Sequence, residues 1–186
     1  RLADDVNTFK HITTGFLGTP LICHVLSEWG YEEEAFMLLN RTEYPSWLYP
    51  VTQGATTIWE RWDGRKPDGS FQNPGMNSFN HYAYGAIGDW LYRYVAGIRP
   101  DVEQPGYKHV IIAPHPGGEL ATVNAEHQSL FGKIASNWIV ENGEMVLDVT
   151  IPANTTATIV LPQAEQDAVK ESGKVLAKAK GVADVL

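Results

Sequence analysis

The chain has 186 residues, of which 44% are hydrophobic, 11% aromatic and 19% charged, and its formal net charge is −8. That length supports one domain or two small ones with a real core, and the apolar fraction excludes disorder. No apolar run approaches the roughly 18 residues of a membrane helix. The acid excess argues against a nucleic acid as partner, since such binders gather Lys and Arg on one face.

The chain opens Arg1-Leu2-Ala3 with neither Met nor a signal-peptide pattern, and it stops in the apolar run Val182–Leu186. It reads as a piece of a longer protein, so the compartment is not legible from its ends. Leu21, Val25, Leu26 and Trp29 fall at helical spacing, with Gly30 as the stop. Cys23 lies inside this run as the only cysteine. It excludes an internal disulfide and a thiolate zinc site, and its apolar setting predicts a buried, inert thiol. Glu32, Glu33 and Glu34 open a second helix at the positive end of its dipole, with Ala35, Phe36, Leu38 and Leu39 as its apolar positions.

From Thr42 to Asn77 the chain is irregular, with Pro45, Pro50, Pro67 and Pro74 among Trp47, Tyr49, Trp59 and Trp62. Thr56 or Thr57 is expected to cap a short helical turn through Ile58–Arg61. Long structureless stretches in compact domains tend to carry function. A third helix is expected from the stripe Phe79, Tyr82, Ala83, Ala86, Ile87, Trp90, Leu91 and Tyr94, whose wide aromatic face suits packing between other helices.

Five of six Trp, seven of eight Tyr and five of six Phe precede Arg99. Beyond Pro100 the composition turns to Val, Ile, Thr and Ala, which predicts a boundary near Ile98–Pro105. There the period becomes two. Ile134, Ser136, Trp138 and Val140 alternate with polar residues, as do Met145, Leu147, Val149 and Ile151, and Asn142-Gly143 between the runs signals a hairpin. Val110–Ile112 and Ala157–Leu161 read as further strands. The expectation is mixed in class, an all-α part followed by an antiparallel β-sandwich. Beyond Ala164, Lys170–Lys174 reads as a turn between two strands, with a frayed helix as the alternative.

The histidines at 11, 24, 81, 109, 115 and 127 show no metal-ligand spacing, and no nucleophile elbow or phosphate loop occurs. Asn40-Arg41-Thr42 and Asn154-Thr155-Thr156 match the short glycosylation sequon, which is common by chance. The segment Gln53–Gly64 stands apart because Glu60 is flanked by Trp59 and Trp62. Indole faces pack on the C–H faces of pyranose rings, and a carboxylate beside them can bind hydroxyls or activate water. The bland reading makes both indoles core and Glu60 a partner for a nearby Arg, and spacing alone leaves both readings open. Asp68-Gly69 is a turn dipeptide. Asp63 is either a turn residue or an orienter of Arg61 or of a sugar hydroxyl. His81 is a ligand-binding or an interfacial histidine, depending on whether loop and helix start share a cleft.

Four motifs in order resemble the C-terminal part of bacterial α-L-rhamnosidases, glycoside hydrolase family 78. They are Thr13–Thr19, Glu43–Trp47, Gly54–Gly64 and Asn77–Gly85, and the similarity covers about residues 10 to 162. The resemblance implies that residues 1–98 are the last helices of an (α/α)6 catalytic barrel and residues 99–163 a C-terminal β-sandwich. Residues 164–186 would be its poorly defined end. It further implies an inverting mechanism in which Glu60 matches the general base, while the family's general acid has no match in this chain. His81 matches an active-site histidine that contacts rhamnose, and Trp59 and Trp47 are expected to line the pocket.

The expected partners are a rhamnose-containing glycan or glycoside and the remainder of the same polypeptide, with no nucleic acid and no membrane. Calcium occurs in some members of this broad family, yet no acidic cluster here supports a site, and no cofactor is expected. Plant-glycan degradation favours a secreted or periplasmic setting. The isolated chain is expected to be inactive and poorly soluble. The alternative is a non-catalytic carbohydrate-binding or structural module, and the β-part is expected to brace the barrel in either case.

Overall fold

The computed structural model describes residues 1–161 and 164–185. The end of the expected sandwich at Gln163, and Leu186 of the terminal apolar run, lie outside the described residues. Five α-helices come first: α1 (Leu2–Phe9), α2 (Thr19–Glu28), α3 (Glu32–Asn40), α4 (Leu48–Thr52) and α5 (Ile87–Trp90). Helix α2 carries Pro20 in its first turn, where a missing N–H costs nothing, and it is followed by Gly30 at φ +79°. Helix α3 carries Glu32, Glu33 and Glu34 in its first turn, where the helix dipole favours them. None of the described residues forms a helix long and apolar enough to cross a membrane.

Two helical expectations are corrected. The stripe from Phe79 becomes helical only at Ala83, first as a 3-10 turn to Ala86, then as α5, then as a π-turn over Leu91–Val95. Residues 78–81 are taken instead by backbone bonds to the Trp59 segment, which compete with helix formation. The helical turn expected at Ile58–Arg61 is absent for the same reason: Ile58 O and Glu60 N find their partners 23 and 18 residues away, in His81 and Ser78.

The strands are β1 (Ile98–Pro100), β2 (His109–Ile112), β3 (Thr122–Ser129), β4 (Gly132–Glu141), β5 (Glu144–Thr150), β6 (Thr156–Ile159), β7 (Lys170–Glu171) and β8 (Lys174–Val175). One sheet has the order β1-β2-β6 and a second the order β3-β4-β5, while β7 and β8 form a small ribbon. Asn142 and Gly143 both have positive φ between β4 and β5, the geometry that Asn-Gly supplies in a two-residue hairpin. The antiparallel expectation holds within β3-β4-β5 and for β1 with β2, and it fails between β2 and β6, which run parallel. Antiparallel neighbours need only a tight turn, whereas the chain leaving β2 traverses the whole second sheet before β6 returns in the same direction.

A first core gathers Val6, Ile22, Leu26, Phe36, Leu38, Trp47, Trp90 and Val95 from the helical part together with Trp138 from β4. A second core, Ile98, Val110, Ile112 and Ile134, lies where side chains of the two sheets meet, with Ala125, Val149 and Ala157 packed against it. Helical and stranded parts are joined by polar bonds as well. Trp138 Nε1 donates to Val95 O at 3.0 Å and Ser136 Oγ to Ala96 O at 2.6 Å, both fully buried. These are carbonyls at the C-terminal end of the last helical segment, which have no partner within the helix itself. Gly97 follows at φ +80°, so close to the Ala113–Pro114 peptide that a Cβ would collide with it.

Candidate functional site

The long irregular stretch closes on itself through a short ladder. Glu60 N donates to Ser78 O at 2.9 Å and His81 N to Ile58 O at 2.8 Å, so the segment bearing Glu60 lies against the segment bearing His81. The Glu60 side chain joins this ladder, since its Oε2 accepts the Ser78 N–H at 2.9 Å. Glu60 is half-buried, and its second carboxylate oxygen makes no hydrogen bond among the described residues. One oxygen is thus held by an amide while the other stays available to water or a sugar hydroxyl.

His81 is held on three sides. Phe16, from the loop before α2, stacks on its ring at 5.0 Å and 10°, and Tyr82 lies parallel to it at 5.4 Å and 5°. Its Nδ1 accepts the Ala83 N–H at 3.3 Å. An accepting Nδ1 assigns the proton of the neutral ring to Nε2, which leaves Nε2–H as a hydrogen-bond donor.

An aromatic stack stands behind these residues. Trp62 lies on Tyr84 at 3.8 Å and 14°, Trp47 meets Trp62 edge-on at 5.7 Å, and Phe16 touches Tyr84 at 5.1 Å. Trp47 Nε1 donates to Tyr84 O at 2.9 Å, so this indole is pinned in place with 8% of its surface exposed. Burial pushes the Tyr84 hydroxyl pKa up, and the Tyr44 and Glu60 charges add to this while Arg61 opposes it. Trp59 belongs to a separate cluster. It packs edge-on against Phe79 at 5.1 Å, is 7% exposed, and Phe79 in turn touches Phe71.

The structure therefore brings Glu60 and His81 into one backbone ladder and puts Trp47 behind it, with Trp59 on the other aromatic cluster. Sequence reasoning passed over Phe16, Ser78 and Tyr84 as site residues. The stacking partner of His81 lies 65 positions upstream, and a backbone N–H has no side-chain signature. Tyr84, two residues beyond Tyr82, offered a signal only in the density of aromatics at 79–84.

The competing carboxylates separate. Asp68 Oδ1 accepts from both Ser70 N and Ser70 Oγ, at 2.9 and 2.6 Å, which makes it a turn former and lowers its carboxyl pKa. Asp63 lies near Tyr44 and Tyr49, whose hydroxyl pKa values are raised first by burial and then by its charge. Two open clefts, of about 460 Å³ along α1 and about 570 Å³ between Asp89, Tyr92, Tyr107 and His127, contain neither Glu60 nor His81. Among the described residues no three His, Cys, Asp or Glu side chains converge as a metal site would require.

Residues 1–95 match the family model of the bacterial alpha-L-rhamnosidase 6 hairpin glycosidase domain, and residues 97–176 that of the bacterial alpha-L-rhamnosidase C-terminal domain. An alpha-L-rhamnosidase of Streptomyces avermitilis is 45% identical over 170 residues, which are 91% of this chain and 16% of that protein. One from Formosa agariphila is 45% identical over 161 residues, 87% of this chain and 17% of that protein. The crystal structure of the Streptomyces avermitilis alpha-L-rhamnosidase complexed with L-rhamnose aligns with a TM-score of 0.82 at 45% identity, covering 89% of this chain and 16% of that one. Native alpha-L-rhamnosidase from Aspergillus terreus aligns with a TM-score of 0.82 at 39% identity, covering 86% and 18%. The chain thus spans about one-sixth of the length of the curated relatives it matches.

Proposed function

The chain belongs to the bacterial α-L-rhamnosidase family, and from that premise we propose that it carries the general base of an inverting α-L-rhamnosidase. That enzyme is a glycoside hydrolase releasing terminal non-reducing α-L-rhamnose from glycosides or plant polysaccharides. Glu60 is the base. Its amide-held Oε2 fixes the carboxylate, and the other oxygen takes the proton of the water that attacks the anomeric carbon. The general acid comes from the remainder of the same polypeptide, about 6.5–9.5 Å across the bond so that the water fits between.

His81 binds a rhamnose hydroxyl through Nε2–H. Trp47 and Trp59 back the sugar pocket, with Trp62, Tyr84 and Phe16 forming the wall around His81. Such a reaction runs on two carboxyl groups and needs no cofactor. The observation that carries this reading is the ladder joining Glu60 to Ser78 and Ile58 to His81, which gives an acid–base group and a hydroxyl-binding group one rigid frame. The near-complete burial of Trp47 and Trp59 weighs against a stacking platform, and so against a purely carbohydrate-binding module.

Residues 1–98 supply the last helices of an (α/α)6 barrel, in keeping with the six-hairpin domain they match. Residues 99–163 are assigned to a β-sandwich, which the core shared by the two sheets supports, and 164–186 to its poorly defined end. Only one carboxylate of the pair lies here, so the chain by itself does not turn over rhamnosides. A glycan-degrading role fits a secreted or periplasmic enzyme.

The deciding experiment compares the complete enzyme with its Glu60→Gln variant on an aryl α-L-rhamnoside, following the released anomer by NMR. The substitution keeps size and removes the base, so turnover falls by about 100-fold or more while rhamnose still binds, and the wild type inverts. Retained turnover in Glu60→Gln would move the base to another carboxylate, Asp63 first. A wild type inactive on every rhamnoside would return the chain to the binding-module reading.

A further inference from the structure

The peptide unit between Asn77 and Ser78 meets the Glu60 loop at two points. Its N–H, that of Ser78, donates to Glu60 Oε2 at 2.9 Å, and the Asn77 side chain donates from Nδ2 to Gly64 O at 3.0 Å. Gly64 closes the turn that follows Glu60. Its N–H bonds back to Arg61 O at 3.2 Å, and its carbonyl also accepts Gln72 N–H at 3.2 Å. Asn77 therefore ties the far end of the turn bearing Glu60 to the very peptide whose amide holds the Glu60 carboxylate.

The amide can point only one way. Turned over, Oδ1 would face the Gly64 carbonyl, acceptor against acceptor. As it stands, Oδ1 is buried without a hydrogen bond among the described residues, a cost to folding that the Nδ2 bond has to outweigh. The surroundings leave no slack. A Cβ on Gly64 would crowd Asn77 Nδ2 at 3.2 Å, Phe79 Cε1 at 3.1 Å and Trp59 Cε3 at 3.2 Å.

We propose that Asn77 is a positioning residue for the Glu60 carboxylate. By fixing the plane of the 77–78 peptide it aims the Ser78 N–H, which orients Oε2. The proposal rests on Glu60 being that base. A loosened peptide spreads the carboxylate's orientations, so its other oxygen faces the attacking water less of the time.

The test uses the complete enzyme on an aryl α-L-rhamnoside, with Asn77→Asp, Asn77→Ala and Glu60→Gln beside the wild type. The Asp variant keeps the shape and replaces the donor with an oxygen facing Gly64 O. The Ala variant removes the donor without adding charge, so an effect shared by both is not a charge effect. Both are expected to lower kcat about tenfold with KM within about twofold. A lowered thermal midpoint with kcat unchanged would overturn the positioning role, since a merely structural asparagine moves stability alone. If Glu60→Gln is dead while both Asn77 variants behave as wild type, only the Asn77 proposal falls. If Glu60→Gln retains turnover, the base assignment falls and the proposal with it.

Discussion

Gly97 and Gly143 share nearly the same backbone angle, φ +80°, and differ in what surrounds them. Nothing lies within 4 Å of a Cβ built on Gly143, whereas on Gly97 it would run into the backbone of Ala113 and Pro114, which no rotamer change can move. Gly143→Ala therefore reports the cost of a left-handed backbone alone, about 1 kcal/mol. Gly97→Ala adds an overpacking cost of about 1–3 kcal/mol, because the Ala113 N–H to Gly97 O bond of 2.9 Å and the β2 exit must shift. With a urea slope of about 2 kcal/mol/M, the midpoint drops by roughly 0.5 M for Gly143→Ala and roughly 1–2 M for Gly97→Ala. Tryptophan fluorescence is the readout, since Trp90 and Trp138 are both buried in the core shared by helices and strands. Equal midpoints for the two variants would refute the close approach at Gly97.

Two more expectations concern titration. Burial pushes the Cys23 thiol pKa up to about 12, so a thiol reagent at pH 8 should leave the folded chain unmodified and label the urea-unfolded chain fully. Burial also lowers the His115 pKa below the ordinary histidine value of 6.5, against the opposing pull of Glu32 and with help from Arg99. The unfolded chain then takes up a proton that the folded one resists. Stability contributed by this residue is present above about pH 6.5 and declines as the pH falls below it. His115→Phe keeps the aromatic stack on Tyr94 and should flatten that slope in urea midpoints measured from pH 7.5 to 5. An unchanged slope would assign the pH dependence elsewhere.

What was legible in the sequence follows the range of the interactions involved. Helices α2 and α3 announce themselves through helical spacing, α2 with its glycine stop and α3 with its acidic first turn, and Asn142-Gly143 fixes its hairpin, because each is decided by neighbours in the chain. Yet of the four residues that carry the spacing in α2 only Leu26 is buried, while Leu21, Val25 and Trp29 are exposed and the inner face is Ile22, Cys23 and Leu26. Helix α1 left little trace, since only Ala3 and Val6 of its eight residues are buried. Phe79–Tyr82 carry helical spacing, but Ser78 and His81 give their backbone bonds to Glu60 and Ile58, and β6 joins β2 in parallel after a long excursion. Both outcomes depend on partners no local window contains. The site shows the same division. Glu60, His81 and the indoles are visible as residue types suited to sugar chemistry, but the Ser78 amide, the Phe16 stack and the Asn77 tether exist only once distant loops meet.

The bonds from Trp138 and Ser136 to the carbonyls of Val95 and Ala96 make the stranded part a cap for a helix that ended some 40 residues earlier. A boundary drawn between the two matched regions would therefore cut a helix from its own terminus. Recombination that exchanged the stranded part between relatives would succeed only if the incoming strand brought a hydroxyl and an indole at those two places. The two regions are thus expected to be inherited together, and a linker inserted at residue 96 should be tolerated far worse than one of equal length at the Asn142-Gly143 turn.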